Sequence, residues 1–172
     1  QEATLLPTPL TASAVAHFLR SAPGLNKTVI GAYLGEAGKE PEAGAASKLY
    51  LGDTAEFHKE VLKAFCDSFD FRGQPLVINL RMFLSAFRLP GEAQQIDRVV
   101  QAFADACFEH CAEAADGIFP TCDVVYLLAF SIIMLHTNLH NPNIRPEKRM
   151  TLENFIRNNT NYGAEISQGK DM

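Results

Sequence analysis

Large apolar residues recur at helical spacing through most of the chain, a pattern typical of amphipathic helices. Proline and glycine interrupt it at Pro23-Gly24, at Gly73 and Pro75, and at Pro90-Gly91, where helices are expected to end. Helices this short are stable only when they cover each other's apolar faces, so we expect an all-α stack, orthogonal or solenoid-like. We predict about seven helices: one beginning near Thr11, and others at about 26–34, 57–69, 76–87, 96–107, 121–136 and 151–157.

The longest apolar segment, residues 124–135, is interrupted only by Tyr126 and Ser131. Its β-branched residues would also suit a buried strand, but its length and the lack of partner strands favour a helix. We expect a buried core helix capped by Thr121 or Asp123. The segment is shorter than the roughly 20 residues that a bilayer requires.

A carboxylate follows the break in the middle of the chain. Proline cannot continue the preceding helix, and glycine permits backbone conformations that other residues resist. Glu92 then falls where we expect the first turn of the next helix, and negative charge is favoured there. One interpretation is that Glu92 simply decorates a helix N-terminus, where acidic residues are common. The other is a functional carboxylate on a rigid corner.

Composition limits the functions to consider. The net charge is −5 and the sequence pI about 5.5, which argues against nucleic-acid binding but leaves room for a basic partner. We identify no secretory signal, and the four cysteines suggest free thiols in a reducing compartment. Residues 37–47 hold small and charged residues without large apolar ones, so we predict a surface loop there.

Familiar catalytic and metal-binding patterns are weak in this chain. His136 and His140 have the spacing of a helical zinc site, as do Cys107 and Cys111, but neither pair has enough further ligands. Phosphate-binding loops and nucleophile motifs are missing from the sequence, so we predict neither a cofactor nor covalent catalysis. Met82, Met134 and Phe130 are expected in the core, unless an exposed groove uses them for partner binding.

Two long motifs carry a family resemblance. The segments FRLPGEAQQIDR, residues 87–98, and LAFSIIMLHTNLHNPNI, residues 128–144, resemble the two signature motifs of the Sec7 domain. Residues 24–36, 69–84 and 155–159 also fit this family in the right order. The Sec7 domain is the catalytic module of guanine-nucleotide exchange factors for Arf GTPases.

The resemblance implies one all-α Sec7 domain over residues 1–172, with about ten helices and a hydrophobic groove. A surface-loop insertion is expected at about 37–52. The groove of the family takes the switch regions of the GTPase, and a glutamate on a neighbouring loop acts as a "glutamic finger". By motif matching this glutamate is Glu92, which would displace Mg²⁺ and repel the β-phosphate without making or breaking a bond. The alternative is a catalytically inactive scaffold that binds a GTPase or another partner.

The resemblance also implies further site residues. Asn141 matches an asparagine that contacts the GTPase beside the finger. Four of the matched positions, Phe130, Ser131, Asn138 and Met150, vary with sensitivity to the Arf-trapping drug brefeldin A, and here they form a mixed set. The residues expected to line or border the groove are Asp97, Phe130, Ser131, Ile133, Met134, Asn138 and Met150.

The implied partner is an Arf-family GTPase in its GDP-bound and nucleotide-free states. The expected location is cytoplasmic, at the periphery of Golgi or endosomal membranes in vesicle trafficking. Membrane contact would be indirect, through a longer parent protein and the lipidated GTPase. The chain departs from the family at His136 and Asn138, where Asn and Asp or Ser are usual, but keeps both Glu92 and Asn141.

Overall fold

The computed structural model describes residues 10–38, 54–112 and 119–160, which form α-helices and their connections with no strand. This confirms the all-α prediction. Most of the predicted surface loop and insertion lies outside the described residues. The helices are α1 Ala12–Ser21, α2 Lys27–Gly35, α3 Ala55–Asp67, α4 Leu76–Ser85, α5 Ala93–Ala112, α6 Cys122–His140 and α7 Leu152–Asn159, with a 3-10 turn at Pro146–Lys148.

Polar side chains mark where the helices begin. Asn26 accepts a hydrogen bond from the amide of Thr28 at 2.8 Å, and Thr121, rather than Asp123, caps α6. Each such cap satisfies an amide that the helix cannot pair, and contributes about 1 kcal/mol. The other threonine caps are Thr11, Thr54 and Thr151.

Aromatic rings form the centre of the core. Phe83 is fully buried, and its ring centroid lies 5.0 Å from that of Phe87 and 5.1 Å from that of Phe103. Phe65 and Phe69 approach it from α3 and the turn that follows. Phe83 and Phe103 belong to the apolar positions at helical spacing, and both are buried, as that spacing predicts.

The expectation of a buried core helix over residues 124–135 was wrong. The buried residues of α6 are Val124, Val125 and Ala129, all in its first half, while Met134 is 54% exposed. The helix also runs to His140 rather than ending near His136. Among the described helices, α6 is long and apolar enough by composition to cross a membrane. Only 17% of its 18-residue apolar window is buried within the fold. Its second half therefore presents apolar side chains that this fold does not cover.

A buried amide fixes the turn before α4. Asn79 is fully buried, and its side-chain nitrogen donates to the carbonyl oxygen of Phe71 at 2.8 Å. The same nitrogen lies 3.7 Å from the sulfur of Cys107 on α5. All four cysteines are free thiols, as predicted, and burial raises the pKa of Cys66. The turn at residues 71–74 is thus tied to both α4 and α5.

We expect Phe83→Ala to lower the free energy of unfolding by about 3–5 kcal/mol, because the removed ring leaves a cavity among fixed neighbours. Leu152→Ala is the control: Leu152 is 70% exposed, and its truncation should change stability by less than about 0.5 kcal/mol. Urea unfolding followed by circular dichroism measures both, since the chain contains no tryptophan. Equal losses in the two variants would contradict the assignment of Phe83 to the core.

Candidate functional site

The connection between α4 and α5 carries Glu92 on an exposed corner. The carbonyl oxygen of Glu92 accepts from the amides of Gln95 and Ile96 at 3.1 and 3.0 Å, so Glu92 directly precedes the first turn of α5. This is one residue earlier than predicted. Its side chain is exposed and makes no ion pair or hydrogen bond with another residue in the described part of the chain. The carboxylate is therefore available to a partner.

Helix α2 holds this connection in place from its N-terminal end. The amide of Arg88 donates to the carbonyl oxygen of Lys27 at 3.0 Å. The Lys27 ammonium in turn donates to the carbonyl oxygen of Ser85 at 2.6 Å, at the end of α4. Two long-range hydrogen bonds thus join one residue of α2 to both sides of the turn that leaves α4.

Glycines allow α2 to pack directly against the backbone of the connection. A Cβ atom on Gly31 would lie 1.7 Å from the carbonyl oxygen of Arg88, a distance no side chain can adopt. A Cβ atom on Gly35 would lie 3.0 Å from the ring of Pro90. Arg98 completes the contact, because its guanidinium donates to the carbonyl oxygen of Gly35. The corner before Glu92 is consequently fixed on the side that faces α2.

A tyrosine links α5 to α6 beside the corner. The hydroxyl of Tyr126 donates to the carboxylate of Asp97, one of the predicted site residues. That hydrogen bond raises the pKa of Tyr126 to about 12, because ionisation would place two negative charges in contact. The ring of Tyr126 stacks on that of Phe130, with centroids 6.0 Å apart. Asp97 and Phe130, predicted separately, therefore meet through Tyr126.

The far end of α6 gathers the other predicted polar residues. Asn141 is the C-cap, and its side-chain oxygen accepts from the amide of Asn143 at 2.9 Å, closing the following turn. The side-chain oxygen of Asn138 accepts from the amide of Met150 at 2.7 Å. This bond ties the segment before α7 to α6, and it joins two of the four positions that the family resemblance links to brefeldin A sensitivity.

Other residues of α6 differ in how far they are covered. Phe130 and Ile133 are half-buried against the core, Ser131 is half-buried, and Met134 is exposed. The rings of His136 and His140 lie 4.4 Å apart, and the described residues contain no cluster of three potential metal ligands. The second half of α6 therefore combines an apolar surface with a polar end at Asn141.

Sequence reasoning missed the residues that position the corner. The contacts of Lys27, Gly31, Gly35 and Arg98 are with groups distant in sequence, and Tyr126 stood out only as an interruption of an apolar segment. The two glycines, four residues apart in the predicted helix at 26–34 and directly after it, were the available signal, because such a pair leaves one face open to close packing.

Comparison with known proteins adds the family context. The sequence profile described as the Sec7 domain matches residues 1–171. The ARF guanine-nucleotide exchange factor GNL2 of Arabidopsis thaliana is 39% identical over 168 residues, which are 98% of this chain and 10% of that protein. Human cytohesin-4 is 43% identical over 158 residues, 92% of this chain and 33% of that protein. The chain thus spans a third or less of either relative.

Solved structures share the fold. The Sec7p catalytic domain superposes with a TM-score of 0.67 at 36% identity, over 87% of this chain and 68% of that one. A Sec7 domain bound to ARF1-GDP and complexed with brefeldin A gives a TM-score of 0.65 at 34% identity, over 86% and 63% of the two chains. One of the structures that share this fold is therefore a Sec7 domain bound to ARF1-GDP.

We expect Gly31→Ala to lower the free energy of unfolding by about 1–3 kcal/mol, because the added methyl group forces α2 away from the carbonyl of Arg88. The control, Gly91→Ala, lies in the connection itself, where a Cβ atom meets nothing within 4 Å. It should change stability by less than about 1 kcal/mol. Urea unfolding of both variants is the measurement, and a larger loss in Gly91→Ala would contradict the clamp by α2.

Proposed function

Because this chain belongs to the Sec7 domain family, we propose that it stimulates the release of GDP from an Arf-family GTPase. The observation that carries the proposal is the exposed carboxylate of Glu92 on a corner that α2 clamps, within a chain 39% identical to an ARF exchange factor. We further propose that residues 1–172 form one Sec7 domain, with an insertion at about 37–52.

The proposed chemistry is electrostatic and breaks no bond. A GTPase holds its nucleotide through phosphate contacts and through Mg²⁺, which neutralises the phosphate charge. A carboxylate brought to this place competes with the phosphates for the metal and then repels them. Coulomb repulsion is strong there because the docked surfaces exclude water. Glu92 is the residue we assign to this role.

A fixed corner matters for this mechanism. A carboxylate on a freely moving loop would turn away from the phosphate and avoid the repulsion. The bonds from Lys27 and the contacts of Gly31 and Gly35 remove that freedom before the partner arrives. Binding energy is then used to destabilise the nucleotide complex rather than to order the loop.

The docking surface that we propose is the uncovered second half of α6 together with α7. Met134 is 54% exposed, and Ile156 and Leu152 on α7 are 56% and 70% exposed. Exposed apolar side chains on adjacent helices are typical of a protein interaction site. We propose that the GTPase switch regions dock here, with Phe130, Ser131, Ile133, Asn138 and Met150 lining or bordering the groove and Asn141 and Asp97 at its edges.

We propose that the protein acts from the cytoplasm at the surface of Golgi or endosomal membranes. Contact with the membrane comes through a longer parent protein and through the lipid anchor of the GTPase. The proposed role of the domain is regulatory, since it converts the GTPase to a form that can bind a new nucleotide and changes no covalent bond. The nucleotide-free GTPase is the state that the groove and Glu92 together bind best.

We expect Glu92→Lys to slow exchange at least about 100-fold, because a cation replaces the charge that repels the phosphate. Release of mant-GDP from a panel of Arf proteins measures the rate. Pull-down of the nucleotide-free GTPase should still detect binding. Gln94→Ala, an exposed neighbour on α5, is the control and should keep the wild-type rate.

Three results would count against this assignment. A wild-type chain that does not accelerate release from any Arf protein contradicts the exchange activity. Wild-type activity in Glu92→Lys contradicts the role of the residue. GTPase binding without any dependence of release on Glu92 identifies the inactive scaffold instead.

We expect Met134→Ala to raise the KM for the GTPase about tenfold with little change in kcat, because the truncated side chain contributes to docking rather than to the repulsion. Val29→Ala on α2 is a matched control, since Val29 is 65% exposed and lies outside the proposed groove. Both variants should unfold within about 0.5 kcal/mol of the wild type. An unchanged KM for Met134→Ala would exclude this part of α6 from the interface.

A further inference from the structure

A large groove is lined mainly by residues of α3 and α5 and is distinct from the exposed half of α6. Its volume is about 900 Å³, within the range of ligand-binding sites, and it is open to solvent. The side chains of Leu62, Ala102 and Phe108 contribute apolar surface to it. Asp97 is the one member of its lining that also belongs to the proposed GTPase site. The groove is not needed for the function proposed above.

The lining of the groove is acidic. Seven carboxylate side chains line it against three lysine or arginine side chains, a balance of four negative charges. Two of these cations are engaged, since Lys63 pairs with Asp67 and Glu109 at 3.3 and 3.5 Å, and Arg98 donates to a backbone carbonyl. The groove therefore offers negative charge that its own residues do not neutralise.

Three of the carboxylates stand without a cation. Glu36, at the end of α2, and Glu56 and Glu60, on α3, form no ion pair with any residue in the ranges that the structure describes. All three are exposed along the rim. These carboxylates would repel an anionic ligand or a nucleic acid. A ligand with two or more positive charges could form ion pairs with them.

We propose that this groove binds a basic peptide segment of a partner protein, with lysine or arginine side chains on the carboxylate rim and apolar side chains on Leu62 and Phe108. Because the groove is open to solvent, a peptide segment can lie in it while the rest of the partner protein stays outside. The apolar floor distinguishes such a peptide from a small polyamine, which has no large side chain to place there.

The test uses the whole chain and a fluorescein-labelled peptide of about twelve lysine and leucine residues, followed by fluorescence anisotropy at about 150 mM salt to limit long-range attraction. We expect the double variant Glu56→Gln/Glu60→Gln to weaken binding at least about tenfold. The double variant Asp70→Asn/Glu147→Gln removes two exposed carboxylates away from the groove and should weaken it less than about twofold. Both variants carry the same net charge.

Circular dichroism confirms that each variant is folded, and a peptide of glutamate and leucine should not bind.

Several outcomes would overturn the proposal. Equal losses in the two double variants would mean that net charge alone attracts the peptide. Binding of the wild type weaker than about 1 mM, or binding of the acidic peptide, would exclude the site. A wild-type dimer in light scattering that Glu56→Gln/Glu60→Gln abolishes would identify a second copy of this chain as the occupant instead.

Discussion

The contact between the backbone of α2 and the connection from α4 to α5 is the constraint on which the site depends. It exists because Gly31 has no Cβ atom, so that helix and loop backbones approach closely. Glycine inside a helix costs about 1 kcal/mol relative to alanine, and here that cost is offset by hydrogen bonds from Arg88 and Lys27. The place at which α5 begins, and therefore the direction of all its side chains, follows from this contact.

The aromatic core also holds the connection between α4 and α5. Rings from α3, α4 and α5 meet at Phe83, and their edge-to-face and stacked contacts add to the hydrophobic free energy of burial. The ring of Phe87, which lies in the connection itself, packs against those of Phe65 and Phe83. Both the core and α2 therefore restrict how far the connection can move.

Local patterns explain what the sequence could predict. The buried faces of α4 and α5 follow from helical periodicity, the caps at Asn26 and Thr151 follow from side-chain chemistry, and the break between α4 and α5 is indicated by Pro90. Each of these depends on residues a few positions apart.

The features that sequence reasoning missed depend on distant neighbours. Tyr126 bonds Asp97 across 29 residues, and Arg98 reaches Gly35 across 63. The exposure of α6 was mispredicted for a related reason. An apolar sequence indicates that a surface is favoured to be buried, but it does not indicate whether the same chain or a partner buries it. The roles of Glu92, Asn141 and the groove residues came from the family resemblance and remain predictions.

The unequal burial of α6 has an evolutionary consequence. The helix has 19 residues, so at 1.5 Å per residue it is a rod of about 28 Å. Its three buried residues, which anchor it to the fold, lie in the first half, while Met134 and Leu139 in the second half face outward. Substitutions at exposed positions such as Met134 and Leu139 therefore carry little folding penalty. Selection can alter these positions, and with them the choice of partner, while the buried residues preserve the architecture.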